Sequence, residues 1–185
     1  MANGLFIFAY SAKRILFKDQ EEIILKNFTS KNVLEMFAES IILNPFEILL
    51  KEDGTSVRLG TILENEKQIF LLISGNTCNS CIYHCLEELY TYAQEIGYSN
   101  IIVLGLFDNK RNFFLLARKY PYNYYLLERT STLSELALKS QNPLFFSIEY
   151  PYRVRFAFSP VSTYKNLTVS YLKMFLRLSN YPSSE

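Results

Sequence analysis

Cys78-Asn79-Ser80-Cys81 sets two thiols three positions apart, and together with Cys85 they are the three cysteines of a 185-residue chain. Where such a segment opens a helix, both sulfurs sit one turn apart at its N-terminus. Unpaired backbone amides and the positive end of the helix dipole favour an anionic sulfur there, which lowers the pKa of Cys78 and makes it nucleophilic near neutral pH. Cys81, deeper and three residues on, can then displace a mixed disulfide formed at Cys78 and leave the two cysteines bonded to each other. Cys78 is the expected attacking residue and Cys81 the expected resolving one.

A metal site built from Cys78, Cys81, His84 and Cys85 is the competing reading of the cluster. Tetrahedral zinc usually draws its ligands from two separated segments, and four ligands on one short helix point in too many directions to converge, so no metal is expected. Cys85 falls on the helix face shared with Leu86 and Leu89 and reads as a small buried hydrophobe. His84 is the chain's single histidine, and the same helical phase turns it toward solvent.

The elements that must position these thiols are legible around them. Gln68 to Ser74 is an apolar run of strand length, the pattern of a central strand covered on both faces. Ser74-Gly75-Asn76-Thr77 breaks it, and from Asn79 the apolar residues Ile82, Cys85, Leu86, Leu89 and Ala93 recur at helical spacing until Gly97. Ile101 to Leu106 is a second buried strand. The three make a β-α-β unit with parallel strands and a right-handed crossover, and the cysteines occupy its strand-loop-helix junction. Phe46 to Leu50 and Ser56 to Leu59 flank an Asp53-Gly54 turn and read as a hairpin. Asn112 to Lys119 reads as a helix, Leu144 to Ile148 and Arg153 to Phe158 as an antiparallel strand pair, and Leu167 to Leu178 as a closing helix. The expected class is α/β, a central mixed sheet flanked by helices on both faces. Residues 44–185 form the expected domain, behind an N-terminal extension at 1–43 with two helical pieces over Asp19 to Ile42.

Composition narrows the function. With 14 Tyr and 15 Phe the chain has ample material for a core, and 19 Lys plus Arg against 18 Asp plus Glu leave none of the basic field that nucleic-acid binding needs. The run Gly4 to Tyr10 is too short to span a bilayer, which takes about 20 apolar residues. It reads equally as the tail of a signal or lipid anchor or as an ordinary first strand.

These residues resemble the thioredoxin-like thiol-disulfide oxidoreductases, particularly the TlpA-like group of the AhpC/TSA and thioredoxin superfamily. The resemblance covers about Asn44 to Leu178. It is carried by the hairpin, the strand Gln68 to Ser74, the C-N-S-C motif and Asn142-Pro143-Leu144-Phe145-Phe146. It implies a thioredoxin-like fold and exchange with protein thiol or disulfide substrates, with an upstream electron donor and no cofactor. It implies supporting roles for Thr77, Asn79, Ser80, Asn142 and Pro143. It further implies that Asn142-Pro143 is a cis bond facing Cys78, where Asn142 pairs with substrate backbone and Pro143 keeps metals off the thiols. With an export signal or membrane anchor upstream, the compartment would be the bacterial periplasm or cell envelope.

The chain departs from the family pattern in three places. Asn76-Thr77 stands where aromatic residues are common, Asn79-Ser80 replaces the frequent Gly-Pro, and Phe70 to Ile73 lacks the buried acid that assists proton transfer in thioredoxins proper. A peroxide-reducing site is disfavoured because no proline lies between Pro45 and Cys78, and copper delivery because no second histidine exists. The remaining alternative is a non-catalytic binding module that uses Tyr120, Tyr122, Tyr124, Tyr125, Tyr150 and Tyr152 as an aromatic surface.

Overall fold

A computed structural model describes residues 34–63, 68–140, 142–160 and 165–179. The chain divides into two compact units, Met1–Leu34 and Glu35–Glu185, and the sheet and the cysteine cluster belong to the second. Apart from Leu34, the first unit lies outside the described residues, and with it the apolar run at 4–10 and the first helical piece expected after Asp19.

Seven strands form one mixed sheet: β1 (Ile48–Leu50), β2 (Ser56–Arg58), β3 (Ile69–Ser74), β4 (Ile101–Leu106), β5 (Asn123–Leu127), β6 (Leu144–Glu149) and β7 (Arg153–Phe158), in the order β2-β1-β5-β4-β3-β6-β7. β3 pairs with β4 in parallel and with β6 antiparallel, so it lies inside the sheet. All six of its residues are buried, as its unbroken apolar run requires. The expected hairpin forms as the β1–β2 pair, with Leu59 opening a one-turn helix, α1 (Leu59–Ile62), instead of extending β2.

Both faces of the sheet are covered. Ile69, Leu71 and Ile73 of β3 join a core with Leu86 and Leu89 of α2 (Asn79–Ile96), Phe113 of α3 (Lys110–Ala117) and Leu172 and Phe175 of α5 (Lys165–Ser179). Phe70 and Leu72 point the other way, where Phe70 stacks on Phe146 at 5.4 Å and α4 (Thr132–Lys139) packs on β3 and β4 through its buried Leu133 and Leu136. α2 ends where expected: Gly97, at φ 88°, takes a positive-φ conformation that glycine adopts without strain, and donates its N–H to the Ala93 carbonyl. Gly105 answers a close approach, because any Cβ on it would overlap the Phe113 ring.

Two elements go beyond the sequence expectation. β5 and α4 fill the stretch between Tyr120 and Asn142, for which no element was expected, and β5 adds a third parallel strand beside β4. Residues 41–43, expected in the N-terminal extension, bond to the chain beside β7: Ile42 bridges Arg153, and the Leu43 amide donates to the Tyr152 carbonyl at 2.8 Å.

Candidate active site

The loop that delivers the thiols is tied down by Thr77. Its hydroxyl accepts from the Ser74 amide at 3.1 Å, and its own amide donates to the Ser74 carbonyl at 3.0 Å. This closes a tight turn directly after β3, while the Gly75 amide donates to the Leu106 carbonyl at 2.9 Å and fastens the loop to the end of β4. Thr77 is buried, whereas Asn79 and Ser80 are exposed.

α2 begins at Asn79 with Cys78 as its N-cap, the placement the spacing predicts. The Cys78 carbonyl accepts from the amides of Cys81 and Ile82 at 3.0 and 3.1 Å, so the first turn is already wound around the motif. Cys78 is exposed and Cys81 is buried, and both are free thiols, as is Cys85. The Cys78 sulfur lies 2.9 Å from the Ser80 hydroxyl. That hydroxyl, followed by the Cys81 thiol and the Cys81 amide, lowers the Cys78 pKa from the ordinary 9.0 to about 7. Ser80 therefore does what a proline at that position, lacking a donor, could not.

Cys85 meets opposite conditions seven residues on. It is 1 % exposed. Burial pushes its thiol pKa up, and the neighbouring Cys81 and Glu88 add to the rise. His84 is placed differently from the sequence expectation: its side chain is only 12 % exposed, with Nδ1 3.8 Å from the Glu88 carboxylate and Nε2 buried without a hydrogen-bond partner. Three helical positions span about 300°, close to a full turn, so His84 follows Cys81 toward the protein instead of turning away.

Asn142 and Pro143 sit at the same end of the sheet as the thiols. β6 runs antiparallel to β3 with Leu144 opposite Leu72. Carried back, that register puts Pro143 level with Ile73 and Asn142 level with Ser74. The implied cis bond is a correction: among the described residues the cis peptide is Tyr150–Pro151, between β6 and β7, and Asn142–Pro143 is not cis. Proline leads into β6 in the ordinary isomer, a position a strand tolerates because no ladder bond is lost there. The Asn142 carbonyl accepts from the Ser140 hydroxyl, and the Pro143 carbonyl from the Ser159 hydroxyl.

His84 is turned to Glu88, and among the described residues no group of three or more His, Cys, Asp or Glu side chains is placed to hold an ion. The aromatic surface of the alternative reading is also revised: Tyr120, Tyr122 and Tyr124 are buried, stacked in sequence at 6.0 and 6.3 Å, and only Tyr150 among the six is largely exposed. Alternation along β5 sends Tyr124 and Leu126 into the core.

Sequence reasoning missed the groove beside Cys78. A cavity of about 490 Å³ is lined by residues of three segments, among them Asn76, Asn79, Tyr83, Phe107 and Asn112. It lies past the carboxyl ends of the parallel strands β3 and β4, where open α/β sheets bind ligands. A β-α-β pattern in the sequence signals such a crevice, but its lining depends on which loops the sheet brings together.

Neither a protein-family model nor a curated protein matches the sequence. Solved structures do match in fold. A proposed electron transfer protein from Aquifex aeolicus VF5 superposes with a TM-score of 0.51 at 10% identity, over 78% of this chain and 95% of that one. The Arabidopsis thaliana protein ScoI, solved with copper bound, gives 0.51 at 10% identity over 75% and 99%. An uncharacterised thioredoxin-like protein from Porphyromonas gingivalis gives 0.50 at 14% identity over 74% and 94%. The fold of this chain is thioredoxin-like: a mixed sheet with helices on both faces and a thiol pair at the β3–α2 junction.

Proposed function

We propose that the protein is a thiol-disulfide oxidoreductase acting on protein substrates through Cys78 and Cys81. The observation that carries this reading is an exposed Cys78 at the α2 N-cap, its thiol lowered to about 7, with the buried Cys81 following it. At neutral pH about half of such a thiol is ionised, and the thiolate is the attacking species. The Cys78 thiolate attacks one sulfur of a substrate disulfide, forming a mixed disulfide and expelling the other substrate sulfur as a thiolate. Cys81 loses its proton and attacks the Cys78 sulfur, releasing the second substrate thiolate and leaving a Cys78–Cys81 disulfide. A dithiol donor returns the pair to the reduced form. Because β3 carries no buried acid, the Cys81 proton passes to water or to a carboxylate from outside that strand.

Thr77 holds the loop and Ser80 tunes the nucleophile, Asn79 supports the site from the first position of α2, and Asn142 and Pro143 form the opposite rim. The domain at 44–185 bears the activity, with the extension at 1–43 leading to a signal or anchor in the bacterial periplasm or cell envelope. No helix among the described residues is long and apolar enough to cross a membrane. Mass spectrometry of the native protein tests the anchor: a processed or lipid-bearing N-terminus supports it, and an unmodified one refutes it.

An insulin-reduction assay tests the mechanism. Cys78→Ser abolishes turnover, and Cys81→Ser stalls at a mixed disulfide visible as an added mass. Turnover that survives either substitution refutes it.

A further inference from the structure

Two cations open α3 where its dipole opposes them. Lys110 and Arg111 form its first positions, no acid stands in its first turn, and Arg118 follows its last residue. A cation is favoured at a helix C-terminus and disfavoured at the N-terminus, so Lys110 and Arg111 gain nothing from the helix itself. The turn between β1 and β2 brings Lys51 to the same place, and with Phe114 and Leu115 these four cations line a cavity of about 250 Å³. All four are exposed, and none makes an ion pair or a side-chain hydrogen bond among the described residues. Lys119, next along the chain, is by contrast paired with Glu87 at 3.4 Å. One acid, Glu52, lines the cavity. Asp53 feels the Lys51 charge, but its carboxylate accepts from the Thr55 amide and hydroxyl at 2.9 and 2.6 Å. Four cations against one acid give the cavity a positive surplus that the chain as a whole, at +1, does not have.

This cavity adjoins a break in the sheet. β1 pairs with β5 only through Leu49–Leu127 and Leu50–Leu126, and the chain then turns away at Lys51. Asn123, Tyr124 and Tyr125 therefore have β4 on one side and, among the described residues, no strand on the other. A second cavity of about 370 Å³ occupies the break. Asn123, Tyr124 and Tyr125 line it, and it shares Lys51, Glu52 and Phe114 with the cationic one, so the two form a single trench. An uncovered strand edge presents backbone donors and acceptors with which an extended chain can pair.

We propose that this trench docks an extended, acidic segment of a partner protein, its backbone pairing with the β5 edge at Asn123–Tyr125 and its carboxylates meeting Lys51, Lys110, Arg111 and Arg118. The open edge selects an extended chain, the cations select an acidic one, and Phe114 supplies an apolar floor common to both parts. The trench is separate from the thiols. β5 is parallel to β3 and β4, and Asn123–Tyr125 is its amino-terminal part, whereas Cys78 follows the carboxyl end of β3. A partner held there leaves the thiols open while its effective concentration beside them is raised. The inference stands on charge and strand pairing alone and does not depend on the reactivity of Cys78.

The test titrates the full reduced chain with a short cysteine-free peptide alternating valine and glutamate, and with the same peptide carrying glutamine for glutamate. The acidic peptide binds, and the glutamine peptide binds about tenfold more weakly or worse. Raising sodium chloride from about 0.05 to about 0.5 M weakens the acidic peptide several-fold, as exposed charges require. The double variant Arg111→Glu, Arg118→Glu, its fold checked by thermal melting, loses about tenfold or more in affinity, while Lys173→Glu, an exposed cation on α5, stays within about twofold. Hydrogen exchange on the complex slows at one or more of the amides of Asn123, Tyr124 and Tyr125. Equal binding of the two peptides, an unaffected double variant, or unchanged exchange along β5 overturns the proposal. Full displacement of the peptide by an equal concentration of inorganic phosphate would mark a small-oxyanion site instead. Binding to phosphatidylglycerol vesicles with no binding of the peptide would mark a membrane surface, and either result overturns the proposal too. The peptide has no thiol or disulfide, so failure here leaves the thiol-disulfide reading untouched.

Discussion

Cys78 and Cys85 are the same residue type, two turns apart on one helix, and the fold gives them opposite chemistry. Cys78 stands at the N-cap, exposed, with the Ser80 hydroxyl 2.9 Å from its sulfur, and its thiol is lowered to about 7. Cys85 is 1 % exposed, in a core cluster with Leu86 and Leu89, and burial pushes its thiol up. The first turn of a helix leaves amides without intrahelical partners and open to an anion, while by the third turn every amide is spent on the helix itself. A thiol's usefulness is set by its place along the helix before any particular neighbour is considered, and Cys81, buried between the two, is the one to which the proposed mechanism gives the resolving step.

The comparison is broken most directly by alkylation. With iodoacetamide at pH 7 on the reduced protein, Cys78 reacts faster than Cys85 by on the order of 10³-fold, because Cys85 combines a small thiolate fraction with lack of access. Peptide mapping with mass spectrometry reads the ratio, and comparable rates would show that the core around α2 opens far more readily than its packing allows. Stability gives the reverse ranking. Cys85→Ser puts a hydroxyl into an apolar core and costs about 1–3 kcal/mol in chemical denaturation. Cys78→Ser leaves the denaturation midpoint at neutral pH nearly unchanged, since its side chain is exposed. Disulfide turnover follows the opposite order, abolished in Cys78→Ser and kept in Cys85→Ser.

The parts of the molecule that frame this contrast were legible in the sequence because each announces itself over a short window. β3 and β4 are continuous apolar runs, α2 carries its apolar residues at helical spacing and stops at Gly97, and β7 was bounded as the structure has it, at Arg153–Phe158. β5 and α4 were not. Tyr122 to Leu127 mixes aromatic residues that serve equally as surface or core, and only pairing with β4 decides that Tyr124 faces inward. α4 did carry local signals that went unread: Ser131 caps it by accepting from the Ser134 amide at 3.0 Å, Glu135 sits in its first turn and Lys139 in its last. His84 and the Asn-lined groove depend on neighbours remote in sequence, which periodicity along one helix cannot supply.

The subtlest test touches Ser80, the largest of the influences that separate Cys78 from an ordinary exposed thiol. Ser80→Ala removes the largest of the influences lowering the Cys78 pKa, so that pKa rises from about 7 toward the ordinary 9.0. A rise of one unit would cut the thiolate at pH 7 from about a half to about a tenth, roughly fivefold, while greater intrinsic nucleophilicity returns a factor of roughly three, for a net slowing of about twofold. Absorbance at 240 nm against pH gives the titration directly, and an unchanged midpoint would remove Ser80 from the mechanism. The same group ties pH to stability in the reduced protein. Its folded pKa lies below the unfolded value, so between about 7 and 9 the unfolded chain holds more of the proton. Stability of the reduced form therefore rises with pH across that window and is lost on falling through 7. Ser80→Ala narrows the window from its lower edge, and the Cys78–Cys81 disulfide, which leaves no thiol to titrate, abolishes it.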